Sequence, residues 1–133
     1  MKVESYLFFE GRCEEAIAFY QKTLGAKVEM VMRYKDFPVS PNEQRSPEKI
    51  MHASVLIGDT RVMMSDGRCS GSANFGGFSM SITVVNGADV EKFFSALSEG
   101  GQVCSPLAAT FFSPKFGMLR DKFGVMWMVM VGQ

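Results

Sequence analysis

The sequence predicts an α+β protein built from two βαβββ modules. Three observations predict it. Short strand-like runs and amphipathic helix-like runs alternate along the chain in a fixed order. That order, one strand, one helix, then three strands, occurs twice. Between the two occurrences lies a Gly/Ser-rich joint, "GRCSGSANFGG" at 67–77. The chain reads as a single domain, 1–133, made of module 1 (1–66), the joint (67–77) and module 2 (78–133), long enough to bury a core.

In module 1, "VESYLFFE" (3–10) is short and aromatic-rich, the pattern of a strand. In "GRCEEAIAFYQKTLGAK" the residues Cys13, Ala16, Ile17, Tyr20 and Leu24 recur at helical spacing. Glu14 and Glu15 suit the first turn, Lys22 the last, and Gly25 the stop. "KVEMVMRYK" (27–35) alternates as a strand. The segment 36–48 carries prolines 38, 41 and 47 and reads as a long loop or lid. "IMHASVLI" and "RVMMSD" form a hairpin around Gly58-Asp59-Thr60.

Module 2 repeats the order. "FSMSITVV" is its first strand, and "GADVEKFFSALSEGG" its helix, with Val90, Phe93, Phe94 and Leu97 on one stripe. "QVCSPL", "TFFSPKFGML" and "VMWMVMV" follow as strands, the last two joined by "RDKFG".

Composition excludes several classes of function. Hydrophobic residues make up 47% and charged residues 21%, and fourteen acids offset fourteen bases. Lys22, Lys35, Arg61, Lys92 and Lys115 are scattered rather than gathered into a stripe, so neither nucleic acid nor an anionic membrane is an expected partner. Cys13, Cys69 and Cys104 have no CxxC or CxxxH spacing and read as free thiols of a reducing compartment. Glu4 and Glu10 interrupt the first apolar run, which argues against a signal peptide or membrane span and makes the cytoplasm the expected location. "SDGRCSGSANFGG" lacks the spacing of a phosphate loop, and Cys69 has no histidine near it in sequence.

"EEAIAFYQKTLGAKV" opening the first module and "RDKFGVMWMVMV" closing the second resemble the vicinal oxygen chelate superfamily of glyoxalase I, extradiol dioxygenases and fosfomycin- and bleomycin-resistance proteins. "AIAFYQKTLGA", "HASVLIGDTRVMMSD", "GGFSMSI" and "DKFGVMWM" are most similar to its PhnB-like branch. The resemblance implies curled mixed sheets around a cavity, each with a helix on the outer face, and a homodimer. Metal-dependent relatives put their ligands on cavity-facing strands. Carried over, those positions fall at Ser5, Phe78 and Met128, with the fourth near Met64 and within two residues of Asp66. Ser, Phe and Met do not suit a divalent metal, so no standard metal centre and no cofactor are expected. A methyltransferase-like label attached to the PhnB-like group finds no support, because a nucleoside cofactor needs a Gly-rich strand-to-helix turn in a parallel sheet.

His52, the single histidine, and Asp66 are the candidate acid–base pair. A two-residue Gly58-Asp59 turn sets His52 opposite Ser65, with Asp66 on the other face; a three-residue loop sets His52 opposite Asp66. The two-residue turn is the better patterned. Met126, Met128 and Met130 share the face that the resemblance sends inward, with Trp127 on the other. Methionine repacks around varied ligands, and Phe111, Phe112 and Phe116 stand ready to close one end.

The expected function is small-molecule binding in a Met-lined apolar cavity, with Ser5, Met64, Phe78, Met126, Met128 and Met130 as ligand contacts. The alternative is a lyase-, isomerase- or dioxygenase-type enzyme on a small oxygenated or phosphonate-like substrate. It would use His52 and Asp66, with Glu4 or Glu10 completing an atypical divalent metal site.

Overall fold

The computed structural model describes residues 1–37 and 46–132. The lid expected at 36–48 falls mostly outside the described residues. The chain divides into two compact units, Met1–Ala73 and Asn74–Gln133. Unit 1 contains β1 (Ser5–Phe8), α1 (Cys13–Leu24), β2 (Lys27–Arg33), a 3-10 turn (Tyr34–Asp36), β3 (Ile50–Ile57) and β4 (Thr60–Ser65). Unit 2 contains β5 (Met80–Val84), α2 (Gly87–Ser98), β6 (Gln102–Ala108), β7 (Phe116–Arg120) and β8 (Met126–Val131).

Each unit holds one open four-stranded sheet, ordered β1-β4-β3-β2 in the first and β5-β8-β7-β6 in the second. β1 runs parallel to β4 and β5 parallel to β8; the remaining neighbours are antiparallel. The predicted α+β order is therefore present twice. Ile57 pairs with Thr60 and Ala53 with Met64, the register of the two-residue Gly58-Asp59 turn.

The helices form for the reasons their spacing suggests. α1 buries Cys13, Ala16, Ile17, Phe19, Tyr20 and Thr23. It stops at Gly25, whose left-handed φ of 67° aims its N–H at the Gln21 carbonyl, while the Ala26 N–H reaches the Tyr20 carbonyl. Arg33 at the end of β2 grips both oxygens of Glu14 at 3.0 Å, tying strand to helix. The α2 start carries a signal that the spacing argument overlooked: the Asn86 side chain accepts the Asp89 N–H at 2.8 Å.

Strand alternation gives each sheet two unlike faces. In unit 1, Leu7, Ala53, Val55, Val62 and Met64 are buried at 2% exposure or less, and their pairings place them on one face. That face is backed by α1. In unit 2 the equivalent set is Leu119, Trp127 and Val129, under the α2 stripe Val90, Phe94 and Leu97. Gly117 admits α2 here, since a Cβ would stand 2.6 Å from the Phe94 ring.

"TFFSPKFGML" is only half a strand. Thr110 Oγ1 accepts the N–H groups of Phe112 (3.3 Å) and Ser113 (3.0 Å), holding a tight turn, and β7 begins at Phe116.

Gly101, between α2 and β6, has no room for a side chain: a Cβ would overlap the Arg120 carbonyl oxygen and sit 2.9 Å from the Asp121 carbonyl carbon. Backbone cannot swing aside as a side-chain tip can. Gly101→Ala is expected to lower the unfolding free energy by about 1–3 kcal/mol in urea denaturation followed by circular dichroism.

Candidate functional site

The face of the unit 1 sheet that α1 leaves uncovered carries His52. Tyr6 pairs with Met63 and Phe8 with Ser65, so these four share that face. Met32 stands opposite His52 on β2, and Met30 opposite Ser54. Tyr6 Oη lies 2.8 Å from His52 Nδ1, with ring centroids 5.5 Å apart. Phe8 stacks against Tyr6 at 4.9 Å. Burial pushes the Tyr6 phenol pKa up, with the buried Ser65 hydroxyl acting the other way. The result is a polar cluster of Tyr6, His52 and Ser65 set among Phe8, Met32 and Met63. Farther along the same sheet Arg61 reaches Glu29 at 2.8 Å and Glu4 at 3.8 Å, and its hydrogen bond holds the Glu29 carboxyl below its usual range.

Asp66 does not join His52. It is 1% exposed, and its two oxygens accept the backbone N–H groups of Cys13 (2.8 Å) and Ile50 (2.7 Å). The first caps α1 from 53 positions away along the chain; the second fastens the start of β3. The expected acid–base pair is thus replaced by two separate groups: a structural carboxylate, and a histidine whose partner is Tyr6. Cys13, at the same junction, is fully buried, and burial followed by the Asp66 charge pushes its thiol far up. Glu10 is also committed. Its backbone is left-handed at φ 52°, and its carboxylate accepts the Arg68 N–H at 3.0 Å and the Ser70 hydroxyl at 2.8 Å.

The expected ligand contacts divide by face. Ser5 pairs with Val62, and Met64 is completely buried opposite Leu7, so both lie on the helix-backed face, away from His52. Ser5 and Tyr6 thus lie on opposite faces, as strand alternation requires. Tyr6 is the β1 residue beside His52. Its signal was the alternation in "YLFF", where Tyr6 and Phe8 take one side and Leu7 and Phe9 the other. In unit 2, Met126, Met128 and Met130 do occupy the helix-free face, each half-buried, beside Met118 and Phe116. Phe78 is 45% exposed and precedes β5. Trp127 faces α2 and donates to Asp121 Oδ2 at 2.9 Å.

The donor chemistry does not suit a divalent metal. Among the described residues no three of His, Cys, Asp and Glu converge, and Ser5, Met64, Phe78 and Met128 are not imidazole, carboxylate or thiolate. A depression of about 180 Å³ beside the α1 start touches Asp66, Arg12, Glu14, Glu15, Glu48 and Lys49. Its charges are already engaged: Arg12 with Glu15, Lys35 with Glu48, and Lys49 with the Gly11 carbonyl.

Paired βαβββ units with one helix-backed and one helix-free sheet face define a protein of the vicinal oxygen chelate fold. The fosfomycin-resistance protein FosX from Listeria monocytogenes superposes on all of this chain and 93% of its own, at TM-score 0.68 and 10% identity, a likeness of fold alone. Within that fold the chain belongs to the PhnB-like family, whose sequence model, described as 3-demethylubiquinone-9 3-methyltransferase, matches residues 1–130. Protein YjdN of Escherichia coli K12 is 34% identical across 98% of this chain and 95% of its own length. The crystal structure of PA1353 from Pseudomonas aeruginosa matches at TM-score 0.86 and 36% identity, covering all of this chain and 98% of that one. The PhnB protein from Bacillus cereus matches at TM-score 0.84 and 26% identity, over 99% and 100% of the two chains.

The family description names methyl transfer, but the residues present do not fit a nucleoside methyl donor. Such a group is held at a Gly-rich turn from a parallel strand into a helix, whereas the α1 start here takes the Asp66 carboxylate and the α2 start is capped by Asn86.

Asp66→Ala strands two buried N–H donors at about 1–3 kcal/mol each. It is expected to cost about 2–6 kcal/mol in chemical denaturation, far more than an acid–base residue on an open face. Tag-free protein incubated with Zn²⁺ or Mn²⁺ and desalted is expected to retain well under one equivalent by elemental analysis.

Proposed function

We propose that this protein binds a small, largely apolar molecule on the helix-free faces of its sheets, with no resident metal or cofactor. One feature supports this above the rest. The unit 2 face presents Met118, Met126, Met128, Met130 and Phe116 side by side, half-buried, where a solvated sheet face would alternate to charge. Unbranched thioethers adapt to ligands of varied outline and contact aromatic rings favourably. The unit 1 face offers Phe8, Met30, Met32 and Met63 in the same manner.

The reading includes a homodimer. Edge strands β2 and β6 expose Val28 (39%), Met30 (45%), Val31 (37%) and Val103 (45%), apolar surface that a second copy would cover. It also includes the cytoplasm, where the free thiols Cys13, Cys69 and Cys104 stay reduced. Among the described residues no helix is long and apolar enough to cross a membrane.

Titration of native protein with anilinonaphthalene sulfonate is expected to give a saturable fluorescence rise, with near-ultraviolet circular dichroism confirming that packing is retained. Met128→Glu places a charge at the centre of the methionine face and is expected to weaken the dye about tenfold or more, since an unpaired carboxylate there must be desolvated. Equal binding by wild type and variant would remove the methionine face from the function.

A further inference from the structure

The hydrogen bond to His52 has a direction, and the direction fixes what the ring can bind. Tyr6 Oη lies 2.8 Å from His52 Nδ1. A phenol O–H is the more acidic donor of the pair and an imidazole nitrogen the more basic acceptor, so Tyr6 donates to Nδ1. Nδ1 is then an acceptor, and the neutral imidazole carries its proton on Nε2. Among the described residues Nε2 has no hydrogen-bond partner. The ring is half-buried.

From this we infer that His52 Nε2–H is the polar anchor of a small-molecule site on the unit 1 sheet face, and that its ligand is a neutral aromatic carbonyl compound. The inference rests on the apolar-face reading above and supplies its chemical class. The donor selects an oxygen acceptor. Phe8, Met32 and Met63, on the same face as His52 and Tyr6, select a planar apolar body. Charge selects neutrality. Arg61, a cation on this face, is already held by Glu29 and Glu4, so a carboxylate would meet acids rather than a free base. Tyr6 is the positioning residue: its hydroxyl holds the ring proton on the far nitrogen.

The chain has one histidine, so one imidazole spectrum reports the whole argument. Long-range ¹H–¹⁵N spectra of tag-free labelled protein, at a pH where the ring is neutral, are expected to show Nε2 protonated and Nδ1 bare. Tyr6→Phe removes the donor to Nδ1 and is expected to give a mixture of tautomers. Acetophenone is expected to shift the Nε2 resonances on saturation. Ethylbenzene, which has a similar body without the oxygen, is expected to bind about three- to tenfold more weakly, the worth of one hydrogen bond. Benzoate is expected to bind no better than ethylbenzene. His52→Ala is expected to erase the preference for acetophenone while leaving the circular dichroism spectrum intact.

A ring protonated on Nδ1 would overturn the assigned tautomer. Equal binding of acetophenone and ethylbenzene with Nε2 unmoved would overturn the anchor while leaving the apolar-face reading in place. Failure of either compound to bind, together with a negative dye titration, would overturn both.

Discussion

Everything on the unit 1 sheet depends on where one carboxylate is buried. Taking Asp66 out of water costs several kcal/mol unless it is matched. The match is complete: one oxygen takes the first free N–H of α1 and the other takes the start of β3. These are charge-assisted bonds, and the helix N-terminus adds its own partial positive charge. Because Asp66 also continues β4, it is the point where helix, β3 and β4 are fixed relative to one another. Pinning α1 there decides which sheet face it covers. By exclusion it also decides which face keeps Tyr6, His52 and Met63. Unit 2 solves the same problem locally, with Asn86 setting the start of α2 and Asp121 accepting the Phe123 and Val125 N–H groups and the Trp127 indole around the β7–β8 turn.

Parity then separates stability from recognition. Along each strand every second residue goes beneath the helix and is aliphatic or aromatic core, as with Val62, Met64, Leu119 and Val129. Among the intervening residues charge is confined to the sheet ends, as with Arg61 and Glu29 in unit 1 and Arg120 in unit 2. The others include methionines and aromatics, a few hydroxyls and one imidazole. A one-residue slip exchanges the two sets, which is why Ser5 and Tyr6, neighbours in sequence, have unrelated roles.

Much of this was legible in the sequence. Helix periodicity placed α1 and α2, Gly25 marked the α1 stop, and the pattern around Gly58-Asp59 selected the correct hairpin register. Alternation in "VMWMVMV" separated the three methionines from Trp127. Two things were not legible. The partners of Asp66 are backbone N–H groups, which every residue but proline possesses, so no residue type flagged the contact between positions 13, 50 and 66. The parity of β1 relative to α1 was the other, because the connection between them holds Glu10 in a left-handed conformation and does not preserve spacing. The side of the sheet on which the β1 residues lie had to be seen.

The buried acids have one more consequence, for the repeat. Asp66 draws its partners from Cys13 and Ile50, and Asp121 from Phe123, Val125 and Trp127. Each debt of desolvation is therefore settled inside the unit that incurs it. The repeat written into the sequence is therefore also a repeat of self-sufficiency: each half matches its own buried carboxylate from its own backbone and side chains.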